Sequence, residues 1–139
     1  MTLKYVLDAD VLSEPLYPKP QQRVLEHLQE HAGEICTASI VWHELLFGCY
    51  RLPLSKKRRT IERYLRDVVE RTIPLLPYDE RAAQWHAAER ARLESVGKPR
   101  PFSDGQIAAI AKVNGLILVT HNERHYREYD GLTIEKWHR

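Results

Sequence analysis

The chain has 139 residues, 43% of them hydrophobic and 29% charged, with a net charge of +2. These are ordinary globular proportions for one domain over residues 1–139, and the length leaves no room for a second comfortable core. No apolar run is long enough to span a bilayer. Lys4, Asp8 and Asp10 interrupt any leader-like start, so a cytoplasmic protein with no membrane partner is expected.

Tyr5 to Leu7 reads as a short buried strand, followed directly by Asp8-Ala9-Asp10. Pro15, Pro18 and Pro20 mark a loop, and Gln21 to His31 reads as a helix with Val24, Leu25 and Leu28 on one face, stopped near Gly33. Ile35 to Thr37 is a second strand. Ser39 then reads as the cap of a helix carrying Ile40, Val41, Leu45 and Leu46. Glu44 lies beside that apolar stripe, an awkward place for an unpaired carboxylate. Cys36 and Cys49 have the spacing neither of a disulfide framework nor of a zinc motif, and both are expected to be buried thiols.

Pro53 breaks the chain and Ser55 caps a basic helix with Ile61, Leu65, Val68 and Val69 at helical spacing. From Arg51 to Arg71 eight basic residues face three acids, a local balance of +5. Such a stripe is either a solvated face or the footprint of a polyanion binder. Ile73 to Leu76 is a third strand whose internal Pro74 points to a sheet edge. Asp79 caps an Ala-rich helix that runs to about Val96. Ser103 and Gln106 form a capping-box pattern, which makes Asp104 the first residue of the next helix. Leu116 to Val119 is a fourth strand ending at Thr120, and Leu132 to Glu135 is a small last one. Strands alternate with helices, so the expected class is α/β: a mostly parallel sheet of four or five short strands with helices on both faces.

Open α/β sheets place ligands at the carboxyl ends of their strands. Asp8 ends the first strand, Glu44 is embedded in an apolar helix, and Asp104 starts a helix. If the three converge, their like charges raise one another's pKa values unless a cation neutralises them. A hard divalent ion with oxygen ligands does so and also presents an activated water. Each acid has an ordinary role too: a cap for Asp8, a buried Arg partner for Glu44, the helix dipole for Asp104. A strand followed by Asp8-Ala9-Asp10 also resembles the opening of haloacid-dehalogenase-type phosphatases. That chemistry needs a downstream Lys and a further acidic pair, and only Lys136 follows Thr120. The seven histidines show no metal-ligand spacing; His121 and His125 lie near the acids in sequence.

Five segments in order carry a family resemblance: Tyr5-Val6-Leu7-Asp8-Ala9-Asp10-Val11-Leu12-Ser13, Ser39 through Glu44-Leu45 to Gly48, Asp104-Gly105-Gln106-Ile107-Ala108-Ala109-Ile110-Ala111, Leu118-Val119-Thr120-His121-Asn122, and Gly131-Leu132 through Trp137. Across essentially its whole length the chain resembles PIN-domain ribonucleases, and within them the VapC-type toxins of toxin–antitoxin pairs. The resemblance implies a metal-dependent endoribonuclease using Mg²⁺ or Mn²⁺, with Asp8, Glu44 and Asp104 as metal-binding acids. Asn122 stands where many members have a fourth acid, and Asp10 stands where Asn is common. Ser39 and Thr120 match supporting hydroxyls. The implied substrate is RNA, in transfer or ribosomal RNA loops, with Lys56, Lys57, Arg58, Arg59 and Arg100 as candidate phosphate contacts. The implied partners are a VapB-type antitoxin and a second copy of the chain; the apolar segments Trp42–Tyr50 and Tyr64–Val69 are either the interface for that copy or core. The competing expectation is a PIN-fold protein that binds RNA or a partner without cleaving, for which Asn122 is the support.

Overall fold

A computed structural model describes residues 2–139. Its centre is β1 (Tyr5–Leu7), whose three residues are wholly buried because the strand is covered on both faces. β1 pairs with β2 (Ile35–Ala38) on one side and with β4 (Ile117–Val119) on the other. β3 (Leu75–Leu76) and β5 (Ile134–Glu135) are the edges, giving the order β3-β2-β1-β4-β5. Every pairing is parallel. The sheet is therefore wholly rather than mostly parallel, flanked by helices as the alternation of elements requires.

Pro74 explains why β3 is an edge of only two residues. It has no N–H to donate into a ladder, but its carbonyl accepts from Thr37 N at 3.0 Å. Between β1 and β2 lie α1 (Ala9–Leu12), a 3₁₀ turn (Glu14–Leu16) and α2 (Gln22–Glu30). α3 (Ser39–Tyr50) follows β2 without a loop, so Ala38 occupies the cap position and Ser39 is the first helical residue instead of the cap. Ser55 does cap α4 (Lys56–Tyr64), accepting from Arg58 N. α4 runs on through a π turn at Leu65–Val69 into α5 (Glu70–Thr72). The widened turn buries Leu65 and Val69 and leaves Val68 45% exposed, off the apolar face its spacing suggested.

Asp79 caps α6 (Glu80–Ser95) through Ala82 N at 2.9 Å. α7 (Phe102–Val113) begins earlier than its Ser103-x-x-Gln106 pattern indicates. Pro101, its φ held near the helical value, occupies the cap, so the capping box does not form and Asp104 is the third helical residue. Gly115 at φ 67° turns the chain into β4. Both cysteines are free and buried. Among the described residues no helix is long and apolar enough to cross a membrane.

Candidate active site

β1 lies where the strand order reverses, with β2 to one side and β4 to the other, and such switch points open a crevice at the strands' carboxyl ends. Asp8 stands there, one residue beyond β1, its backbone N–H still donating to Val119 O at 2.9 Å. It is only 8% exposed. Its Oδ1 accepts from Ala9 N at 2.8 Å and so caps α1. Its Oδ2 accepts from Thr120 Oγ1 at 2.9 Å and from Tyr126 Oη at 3.1 Å. Three donors thus fix the carboxylate's orientation.

α1 turns Asp10 toward the same crevice. Asp10 Oδ2 accepts from His121 N and from Asn122 Nδ2, both at 3.1 Å, while its Oδ1 is buried without a partner. Burial, then the neighbouring Asp8 charge, pushes its carboxyl up to about 6. Glu44 projects from α3, and burial, then Asp8, Asp104 and Asp10, pushes it up to about 7. Asp104 in the first turn of α7 is raised by burial, partly opposed by His125. Its Oδ2 is buried without a hydrogen-bond partner and lies 3.6 Å from His125 Nδ1. Asp8, Asp104 and Asp10 thus all lie near enough to Glu44 for their charges to act on it, with Asp10 beside Asn122.

The donor set is entirely hard oxygen, two of its buried carboxylate oxygens have no partner, and the charge of Asp8 adds to burial in raising Asp10, Glu44 and Asp104. That combination fits a hard divalent cation. The group at His27, Glu30 and His31 is a separate set of metal-ligand type and lies elsewhere.

Two hollows adjoin the acids. One, about 600 Å³, is lined by Ser39, Ile40, His43, Glu44, Phe47, Ser103 and Gln106. Ser39 thus faces the hollow beside Glu44. The other, about 610 Å³, is lined by His121, Asn122, Glu123, Arg124, His125, Arg127, Lys136 and His138. This second, basic hollow was not legible in sequence, because its cations Arg124, Arg127 and Lys136 are spread over two segments. Arg100, half-buried, donates to Arg124 O at 3.4 Å. Lys56, Lys57 and Arg59 are exposed on α4, and Lys57 also lines an apolar recess with Glu44 and Leu45. Arg58 is engaged within the fold: it donates to Leu52 O at 3.1 Å and covers the Tyr50 ring, so it is no free phosphate contact.

Two further residues support the acids from unexpected places. Tyr126, buried on the segment after β4, reaches Asp8 from 118 residues away. Glu14, 3% exposed, places Oε1 3.0 Å from His121 Nε2 and so braces the segment that donates to Asp10. Neither carries a sequence signal. The segments suggested as an interface divide: Phe47, Tyr50 and Val68 are exposed, whereas Cys49, Leu65 and Val69 are core.

Comparison with known proteins agrees with this architecture. The chain is 31% identical over 135 residues to the tRNA(fMet)-specific endonuclease VapC of Shigella flexneri, covering 97% of this chain and 98% of that one. It is 32% identical over 139 residues to Toxin FitB of Neisseria gonorrhoeae, covering 96% and 98%. The crystal structure of DNA-bound VapBC from Salmonella typhimurium superposes with a TM-score of 0.83 at 28% identity, covering 97% of this chain and 98% of that one. The PIN domain family matches residues 5–132, and the chain belongs to that family.

Proposed function

We propose that this protein is a metal-dependent endoribonuclease acting as the toxin of a VapBC-type toxin–antitoxin pair. The observation that carries the reading is the convergence of Asp8, Glu44 and Asp104, with Asp10, at the switch point of a PIN-domain sheet. Asp8, Glu44 and Asp104 would hold Mg²⁺ or Mn²⁺, which when bound supplies charge neutralisation and an acidified water for phosphodiester hydrolysis.

The chain's own groups prepare that chemistry. Thr120 and Tyr126 donate to Asp8 and keep its carboxylate aimed into the crevice. Asn122 donates to Asp10, so this pair supplies one carboxylate where a second acid would add repulsion. That division of labour favours cleavage over the non-cleaving reading, because a full set of acids is present without Asn122. A phosphotransferase reading would need a Lys on Asp8, whose carboxylate instead accepts from Ala9 N, Thr120 Oγ1 and Tyr126 Oη. The basic hollow on one side and Lys56, Lys57 and Arg59 on the other suit a polyanion crossing the acids. Arg100, close enough to Asp104 to oppose its rise in pKa, adds a cation at the acids themselves.

A VapB-type antitoxin is the proposed inhibitor, since the Salmonella typhimurium neighbour is a VapBC complex. Transfer RNA is the first substrate to try, because the Shigella flexneri relative is named for tRNA(fMet). A second copy of the chain is proposed to cover the exposed Phe47, Tyr50 and Val68. The test is incubation with transfer RNA and ribosomal RNA in Mg²⁺ or Mn²⁺, with and without EDTA. Discrete cleavage abolished by EDTA supports the reading; intact RNA, or cleavage indifferent to EDTA, overturns it.

A further inference from the structure

A second cluster lies at the opposite end of β1 from the acids, around Tyr5. His27 on α2 and His31, its C-cap residue, lie one turn apart with Glu30 between them, so two of the histidines do have a metal-ligand spacing, contrary to the expectation from sequence. One ligand atom from each of the three lies within 4.8 Å of the others. The two imidazoles are nearly parallel, 10° apart with centroids at 5.9 Å. Both stack on the buried Trp137, His27 at 5.0 Å and His31 at 5.4 Å, and Tyr5 closes the set edge-on against His31 at 4.9 Å. Rings clamped in this way have little rotamer freedom left to lose on binding an ion.

Two observations go beyond packing. Glu34 Oε1 lies 2.8 Å from His31 Nδ1. A carboxylate on one ring nitrogen sets the tautomer and raises the basicity of the other, the arrangement that supports metal-ligating histidines. His27 Nδ1 is buried with no hydrogen-bond partner, an unmet polar atom that an apolar stack alone does not explain.

We propose that His27, His31 and Glu30 form a binding site for a divalent transition metal of the zinc class, separate from the acid cluster. Two imidazoles and one carboxylate select a borderline ion such as Zn²⁺, whereas the all-oxygen acids at the other end select Mg²⁺ or Mn²⁺. Three protein ligands leave a fourth tetrahedral position for water. The metal ties the last turns of α2 together beneath Trp137, and so braces the segment that follows β5.

The test uses the full, untagged chain, stripped of metal and titrated with Zn²⁺ in excess Mg²⁺ against a chromophoric chelator. The wild type is expected to take up one Zn²⁺. His31→Phe keeps an aromatic ring on Trp137 but offers no ligand, and is expected to lose that Zn²⁺ while still cleaving RNA in Mg²⁺. Glu34→Gln is expected to weaken binding about tenfold, the usual effect of removing an outer carboxylate. Asp8→Asn is expected to bind Zn²⁺ as the wild type does. If circular dichroism shows His31→Phe unfolded, Glu30→Gln, at an exposed position, takes its place with a tenfold or greater loss expected. No uptake by the wild type, equal uptake by the ligand variants, or loss in Asp8→Asn alone would overturn the assignment.

Discussion

Two buried acid environments in this molecule stand in contrast. Glu89 on α6, 8% exposed, is surrounded by donors: Arg92 Nε at 2.8 Å, Arg92 Nη2 at 2.9 Å and Asp130 N at 2.7 Å. The Arg92 hydrogen bonds hold its carboxyl below the usual range. Asp10, Glu44 and Asp104 are half-buried, and burial together with the neighbouring charge of Asp8 raises their carboxyls. An acid that serves the fold brings its own positive partners. At the switch point Arg100 and His125 only partly oppose the rise at Asp104, and a bound divalent cation supplies the remaining positive charge.

Mutation should separate the two environments by both size and sign of effect. The largest effect is expected from Asp8→Asn. It keeps the size of the side chain and an oxygen to cap α1, but lowers RNA cleavage by at least about 100-fold, beyond what loss of an outer partner costs. Gel-resolved cleavage in Mg²⁺ measures it, and equal cleavage by variant and wild type would sink the metal-acid mechanism. Next is Glu89→Ala, which strands Asp130 N and Arg92. It should cost about 2 kcal/mol of stability in urea titration and leave cleavage per folded molecule unchanged. A variant impaired in cleavage but not in stability would erase the distinction between the two environments.

The smallest effect is in the pH dependence of the metal-free protein, and its sign is diagnostic. Glu44 is raised from 4.5 to about 7 and Asp10 from 3.8 to about 6. Groups with raised folded pKa values contribute stability that is fully present below their unfolded values and lost as pH rises through the folded ones. The melting temperature in EDTA should therefore fall between about pH 4 and 7 on account of these groups. Glu89, depressed in the fold, works in the opposite direction and is lost as pH falls. Glu44→Gln should flatten the decline, and Mg²⁺ should raise the melting temperature more above pH 7 than below pH 5. A decline unchanged in Glu44→Gln would remove Glu44 from the cluster.

Much of the architecture was readable in residue order. β1 announced itself by an unbroken apolar run ended by Asp8, and Pro74 marked β3 as an edge because a missing N–H cannot enter a ladder. Glu44 was conspicuous as a carboxylate beside an apolar stripe. The helix starts were read less well. Ser39 and Ser103 have capping chemistry, but Ala38 and Pro101 occupy the cap positions, since strand continuity in one case and a fixed φ in the other set the first turn. Arg58 looked like any member of its basic run until its bond to Leu52 O tied it into the fold.

Local chemistry was enough to determine the α/β class and a sheet of mostly parallel strands, and it singled out Asp8, Glu44 and Asp104 as candidate acids. Periodicity, capping and turn residues act over a few positions and leave a direct trace in the order of residues. Tyr126 on Asp8, Glu14 on His121, and the two histidines of α2 stacked on Trp137 were decided only by the tertiary structure. Each joins segments distant in the chain, and such pairings depend on how the sheet brings its strands side by side, which no local pattern encodes.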